Sequence, residues 1–181
     1  MIVIMLPSHV ARILGLSDRN VTLRGGERLF GVGDDVRFVF IVREGGVQML
    51  RRRPDGGALV LQRVAPHALV AEASLFAQRY HCEAVAEGQT LLARIPKAAV
   101  LEHQNTDPQW LQQFASHLAS EVQRARGRAE LLSLKRVGDR LDAWFTLHGN
   151  EMPERGRWVN WASELGVSPE ALYRELAKRR A

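Results

Sequence analysis

The 181 residues, 46% hydrophobic and 25% charged, make an ordinary globular composition with length enough for one large domain or two small ones. The excess of 25 Lys and Arg over 20 Asp and Glu, a formal +5, is compatible with a polyanionic partner. The single cysteine, Cys82, excludes a disulfide framework within one chain and fits a reducing cytoplasm.

The opening MIVIMLP is apolar. It lacks a basic leader and a small-residue cleavage site and is far shorter than a membrane span, so it reads as a buried N-terminal segment. From Asn20 to Pro96 the pattern changes to short β-type runs: NVTLR, ERLF, VRFVFIV, GVQML, ALVLQRV, EAVA and TLLARI. Turn residues separate them, and seven short strands so spaced predict an antiparallel barrel or sandwich. PDGG at 54–57 is a strong hairpin signal. Helical segments flank the unit, SHVARILGL before it and KAAVLEHQ after it.

At Asp107 the period becomes helical, with Asp107 as N-cap and Pro108 as first helical residue. Leu111, Ala115, Leu118, Val122, Ala125, Ala129 and Leu132 then recur at four- and three-residue steps, a heptad stripe about three repeats long. Gln123, Arg124, Arg126 and Arg128 stand between them and are poor candidates for burial. An amphipathic helix lying on its own β domain is one reading. The narrowness of the stripe favours a parallel coiled coil between two copies, and a homodimer is expected.

After Leu134, RVGDRLDAWFTLHGN places Val137, Leu141, Trp144 and Phe145 on one helical face and ends near a Gly149–Asn150 turn signal. The polar connector MPERGR leads to WASELGVSPEALYREL. A helix-turn-helix needs a small residue at its crossing, a turn residue tolerant of positive φ and an apolar locking set. Ala162, Gly166, and Trp161, Leu165, Val167, Leu172 and Leu176 supply them. Ser168 is placed to cap the second helix, with Pro169 in its first turn. Its outward residues are Glu170, Tyr173, Arg174, Lys178 and Arg179, types that read base edges and hold phosphates. The candidate DNA-binding set is therefore Ser168, Pro169, Glu170, Tyr173, Arg174, Lys178 and Arg179, on a reading helix over 168–180. Two core helices with a solvated basic face are the plainer alternative.

From about Leu16 onward, this order of parts resembles the cyclic-AMP receptor protein family, the Crp/Fnr regulators. The run GERLFGVGDDVRFVFIVREGGVQMLRRRPDGGALVLQRVAPHALVAEASLF is similar to the family's β-roll, and RVGDRLDAWF with WASELGVSPEALYREL to its DNA-binding part. The resemblance implies an α+β chain: a sensory antiparallel β-roll (a cyclic-nucleotide-binding-like jelly roll) over 1–106, a dimerisation helix over 107–134 and a helix-turn-helix domain over 135–181. It implies a cytoplasmic homodimer that binds double-stranded DNA, with RNA polymerase as a further partner. The family continues into a β-hairpin wing, whereas this sequence ends at Ala181, so no C-terminal wing is expected.

The sequence departs from the family in the phosphate cassette. Glu72 matches the glutamate that takes a ribose hydroxyl in nucleotide-binding members, but Ala71 replaces the glycine before it and His67 an earlier loop glycine. The family's Arg-Ser pair falls on Tyr80 and His81. Without that arginine a buried cyclic phosphate loses a charge-assisted fork, about 1.5–3 kcal/mol. Arg79 is one residue away, and on an alternating strand that offset turns it to the other face. Cyclic AMP sensing in the family's usual manner is therefore not expected, and no cofactor is assigned.

The candidate effector set is Glu72, Arg79, Tyr80, His81 and Cys82. His81 beside Cys82 raises haem, metal or redox sensing, against the alternative of a buried cysteine next to a polar histidine. No clustered zinc ligand set is visible, and a cluster of iron and sulfur needs several cysteines. An enzyme on a cupin-like barrel would need converging histidines, but the six histidines are dispersed and no glycine-rich phosphate loop or nucleophile elbow occurs. A protein-interaction module that keeps the roll without reading DNA, or a cyclic-nucleotide-responsive regulator, remains the alternative function.

Overall fold

The computed structural model describes residues 6–53, 56–149 and 151–179. Residues 1–5, most of the apolar opening, lie outside it, as do Pro54 and Asp55 of the predicted hairpin, Asn150 of the predicted turn, and residues 180–181. The chain forms two compact units, Met1–Leu118 and Ala119–Ala181.

The first unit holds α1 (Ser8–Leu14), eight strands and α2 (Lys97–Thr106). The strands are β1 (Arg19–Leu23), β2 (Arg28–Phe30), β3 (Phe38–Glu44), β4 (Val47–Arg52), β5 (Ala58–Val64), β6 (Leu69–Val70), β7 (Glu83–Ala86) and β8 (Thr90–Pro96). Two antiparallel four-stranded sheets result, ordered β1-β8-β3-β6 and β2-β7-β4-β5. All seven expected strands are present. The eighth, β6, has two residues, Leu69 and Val70, which pair with Ile41 and Phe40. A run that short carries no periodicity, and its strand character comes from its partner.

VRFVFIV is apolar at nearly every position because its sheet is covered on both faces. Phe40 and Val42 of β3, Val70 of β6 and Leu92 of β8 point into the roll, where they meet Phe30, Val47, Met49, Val64 and Ala84 of the other sheet. The alternate residues Val39, Ile41, Leu69, Ala93 and Ile95 point outward and are buried by Val10 and Ile13 of α1, Val100 of α2, and Trp110 and Phe114. Successive side chains on a strand face opposite ways, so a strand packed on both sides loses the apolar–polar alternation of a half-exposed one.

α3 spans Pro108–Ser133. Asp107 caps it as expected: its Oδ1 accepts from the backbone N–H of Trp110 at 3.0 Å. That bond, with the guanidinium of Arg12 beside it, holds the Asp107 carboxyl below its usual range. Trp110 and Phe114 are fully buried and stacked with centroids 5.0 Å apart, and the Trp110 indole donates to the carbonyl of His9 at 2.9 Å. The heptad stripe lies elsewhere on the helix. Leu111, Ala115, Val122, Ala125, Ala129 and Leu132 are exposed, and Leu118 is half-buried.

The second unit contains the end of α3, α4 (Val137–His148), α5 (Trp158–Glu164) and α6 (Pro169–Lys178). Its core is Leu131, Leu141, Trp144, Trp161, Ala162, Leu165, Leu172 and Leu176, with Phe145, Trp158 and Val167 packed against it. The residues expected to lock the helix pair are thus those that do so. Among the described residues no helix is long and apolar enough to cross a membrane.

Candidate functional site

α5 and α6 meet at Gly166, whose φ is +65°. A Cβ there would intrude on the Leu132 side chain and lie 3.0 Å from a guanidinium nitrogen of Arg140. Glycine is needed for both backbone and space. Ala162 is fully buried at the crossing. Ser168 caps α6 by accepting from the N–H of Ala171 at 3.2 Å, and Pro169 opens the helix. With Leu172 and Leu176 turned inward, Glu170, Tyr173, Arg174 and Lys178 are left on the exposed side. The Glu170 carboxyl is held below its usual range by its own backbone N–H and by the Ser168 hydroxyl. The Tyr173 ring lies 5.6 Å from that of Trp158 and keeps 43% of its surface exposed.

Arg179 behaves differently from its neighbours. Its guanidinium donates to Asp142 at 2.6 Å, to the carbonyl of Gly138 at 2.9 Å and to Glu175 at 3.4 Å, tying the end of α6 to α4. Asp142 is correspondingly held low in pKa by Arg179.

Arg140 also shapes the site, and neither spacing nor motif marks it in the sequence. Its Nε donates to the carbonyl of Leu134 at 2.7 Å, Nη1 to Leu165 and Gly166 at 3.0 Å each, and Nη2 to Leu132 at 3.2 Å. One guanidinium therefore satisfies carbonyls at the ends of α3 and α5 and anchors the turn between α5 and α6. The cationic group also sits favourably at the negative ends of two helix dipoles.

In the first unit the candidate effector residues all lie on the connection between β6 and β7. His67 and Ala71 have φ of +70° and +58°, and they are the described non-glycine residues with positive φ. A left-handed backbone at a residue with a Cβ costs about 1–2 kcal/mol. Glu72 follows in a short 3-10 turn (Glu72–Ser74) and is buried. Its Oε1 accepts weakly from Gln62 at 3.4 Å, and its Oε2 is buried without a hydrogen-bond partner.

Tyr80 is buried in the interior of the roll. It stacks on Phe30 at 3.6 Å, and its hydroxyl donates to the carbonyl of Phe38 at 2.6 Å. Burial, and secondarily the charge of Asp34, raises its pKa well above the usual phenol range. Arg79 turns away as expected: its side chain is 70% exposed, donates to the carbonyl of Gly33 at 2.7 Å and faces Asp35 at 3.7 Å. His81 is exposed, with Nδ1 3.4 Å from the Ser74 hydroxyl. Cys82 is 1% exposed, and burial pushes its thiol pKa up, aided by Glu72 and opposed by Arg51, so it stays protonated. Glu72 also lines a cavity of about 10 Å³, room for no more than one water, on the outer face of the sheet among Ile13, Val39, Leu75, Trp110 and Phe114.

Residues 20–107 match the family described as Cyclic nucleotide-binding domain. No curated protein sequence matches the chain. Solved structures with similar folds include FixK2 from Bradyrhizobium japonicum, with TM-score 0.70 and 17% identity, covering 88% of this chain and 83% of that one. The c-di-GMP-responsive global regulator CLP of Xanthomonas campestris aligns at TM-score 0.68 and 20% identity, over 95% of this chain and 90% of its own. The catabolite activator protein of Thermus thermophilus aligns at 0.59 and 22%, over 97% and 84%.

Proposed function

Because the chain carries a cyclic nucleotide-binding domain and has the fold of Crp/Fnr transcription regulators, we propose that it is a homodimeric DNA-binding regulator that reads a palindromic site with α6. The observation that carries this reading is the exposed face of α6. Its inner residues are locked by the α5 packing and its turn is fixed by Gly166 and Arg140. Glu170 and Arg174 are left one helical turn apart, with Lys178 one turn further.

Arg174 is placed to fork onto a guanine edge, Glu170 to accept from a cytosine amine, and Lys178 and Ser168 to reach phosphates. Arg179 acts on the platform by holding α6 to α4. Dimerisation is assigned to Leu111, Ala115, Leu118, Val122, Ala125, Ala129 and Leu132. Exposure of all but Leu118 in a single chain supports a second copy covering them, since a zipped pair presents two reading helices about one DNA turn apart.

The roll works without the family's phosphate cassette. Tyr80, Phe30, Phe40 and Met49 fill the interior with the chain's own side chains, so a cyclic phosphate would have to displace Tyr80. Activity independent of cyclic AMP follows, and Cys82, buried and protonated, is a core residue in this scheme.

Titration of labelled palindromic duplexes at two salt concentrations tests the proposal. Binding should be specific and should weaken steeply as salt rises, because phosphate contacts release counterions. Arg174→Ala should relax base preference at one position per half-site, at about 1–3 kcal/mol. Absent or salt-insensitive binding would favour the protein-interaction alternative.

A further inference from the structure

Within the second unit, the end of α3 together with α4 and α5 encloses a cleft of about 480 Å³. That volume lies in the range of small-molecule sites. Its floor is apolar: Leu131 is 3% exposed and Trp144 is 7%, whereas Leu147, on the same cleft, is 54% exposed to solvent. A large aliphatic side chain so exposed beside buried aromatic surface leaves room for a further apolar body.

Gly127 is the second sign. It stands inside α3, where glycine costs about 1 kcal/mol relative to alanine. Its φ is helical, so no backbone requirement explains it. A Cβ at that position would meet only Leu147, at 3.6 Å, an ordinary contact distance. The residue type therefore keeps the wall of the cleft open, where any longer side chain would fill it.

The rim supplies the charge. Arg124 and Arg128 are one turn apart on α3 and both line the cleft, with Gln123 beside them. Glu121 pairs with Arg124, but a guanidinium has five donors, and one carboxylate does not exhaust them. Glu164 also lines the cleft, where it accepts from the Trp144 indole at 3.4 Å. His148 stacks on Trp144 with centroids 4.5 Å apart, which extends the flat aromatic surface. On a helix turning about 100° per residue, Gln123, Arg124, Gly127 and Leu131 lie roughly opposite Leu111, Leu118, Val122 and Ala129. Pairing of two chains along the stripe would leave this face uncovered.

We propose that the cleft binds a small amphipathic anion, an aromatic or branched apolar body bearing one carboxylate or phosphate, with the body against Trp144 and Leu147 and the anionic group at Arg124 and Arg128. The site is separate from the roll and does not depend on α6 reading DNA, so either proposal can fail alone.

Calorimetric titration of the full chain with 1-naphthoate, and with uncharged 1-naphthalenemethanol, tests it. Naphthoate should bind at one site per chain and the neutral analogue about tenfold more weakly. Arg128→Gln should lower naphthoate affinity about tenfold and leave the neutral analogue within twofold. Gly127→Ala should bind as the parent does, while Gly127→Leu should abolish binding by filling the wall. Leu147→Asp, at an exposed position that the fold tolerates, should also abolish it by placing a carboxylate beside the anion. The proposal is overturned by equal affinity for the charged and neutral probes, by undiminished binding in Leu147→Asp, or by failure of both probes to bind the parent chain.

Discussion

Replacing Arg140 by methionine keeps the aliphatic stem and removes the guanidinium that joins α3, α4 and α5. Of its four hydrogen bonds, those to Leu134 at 2.7 Å and Leu165 at 3.0 Å are partly buried. Those to Gly166 and Leu132 are exposed, where water can replace the lost donor. The two partly buried bonds, with a charged donor, contribute about 1.5 kcal/mol each. The cation at two helix C-termini adds about 0.5 kcal/mol at each. Arg140→Met should therefore destabilise the second unit by about 3–4 kcal/mol.

Urea unfolding followed by tryptophan fluorescence is the assay, since Trp144, Trp158 and Trp161, three of the four tryptophans, lie in that unit. With a slope near 1 kcal/mol per molar for so small a unit, the midpoint should fall by about 3 M. Arg140→Lys should recover less than half, because an ammonium lacks the planar fork. A midpoint within 0.5 M of the parent for Arg140→Met would refute the clamp.

Gly166→Ala forces alanine into the left-handed region and against Leu132, which should cost about 2–3 kcal/mol in the same urea assay and lower duplex affinity through a displaced α6. Val122→Asp should dissociate the proposed dimer in sedimentation without altering the far-ultraviolet spectrum. It is the cleaner change than Leu118→Asp because Val122 is 48% exposed whereas Leu118 packs partly on the core. His9, stacked on His117 at 4.3 Å, is held down to about pKa 4 by burial and then by the neighbouring imidazole. An unfolded histidine titrates near 6.5, so the unfolded chain takes up this proton first. Stability is therefore full above about pH 6.5 and is lost as the pH falls toward 4. Melting temperatures at pH 7, 5.5 and 4.5 should show the decline, and His9→Gln should flatten it.

The strands of the roll, the cap at Asp107, the glycine in the α5–α6 turn and the cap at Ser168 were all legible in the sequence. Each depends on interactions within a few residues, and so each leaves a local trace: a period of two or 3.6, or a residue type fitted to one backbone angle. The locking set Trp161, Leu165, Leu172 and Leu176 belongs with them, because burying a helix stripe demands that spacing wherever the partner lies. Long-range placement left no such trace. β6 is a strand because Phe40 and Ile41 pair with it. Arg140 reaches a carbonyl 25 residues on, and Arg179 reaches Asp142 37 residues back, which separates it from the otherwise similar Arg174 and Lys178. The cleft beside Gly127 exists only once α3, α4 and α5 are packed, since its walls come from three segments that share no pattern. Tyr80 could be read as a lost arginine, but that it closes the roll by stacking on Phe30 was decided by the meeting of two sheets. Local chemistry selects the elements, and the direction in which a long polar side chain points is selected by whatever unsatisfied group the fold brings within its reach.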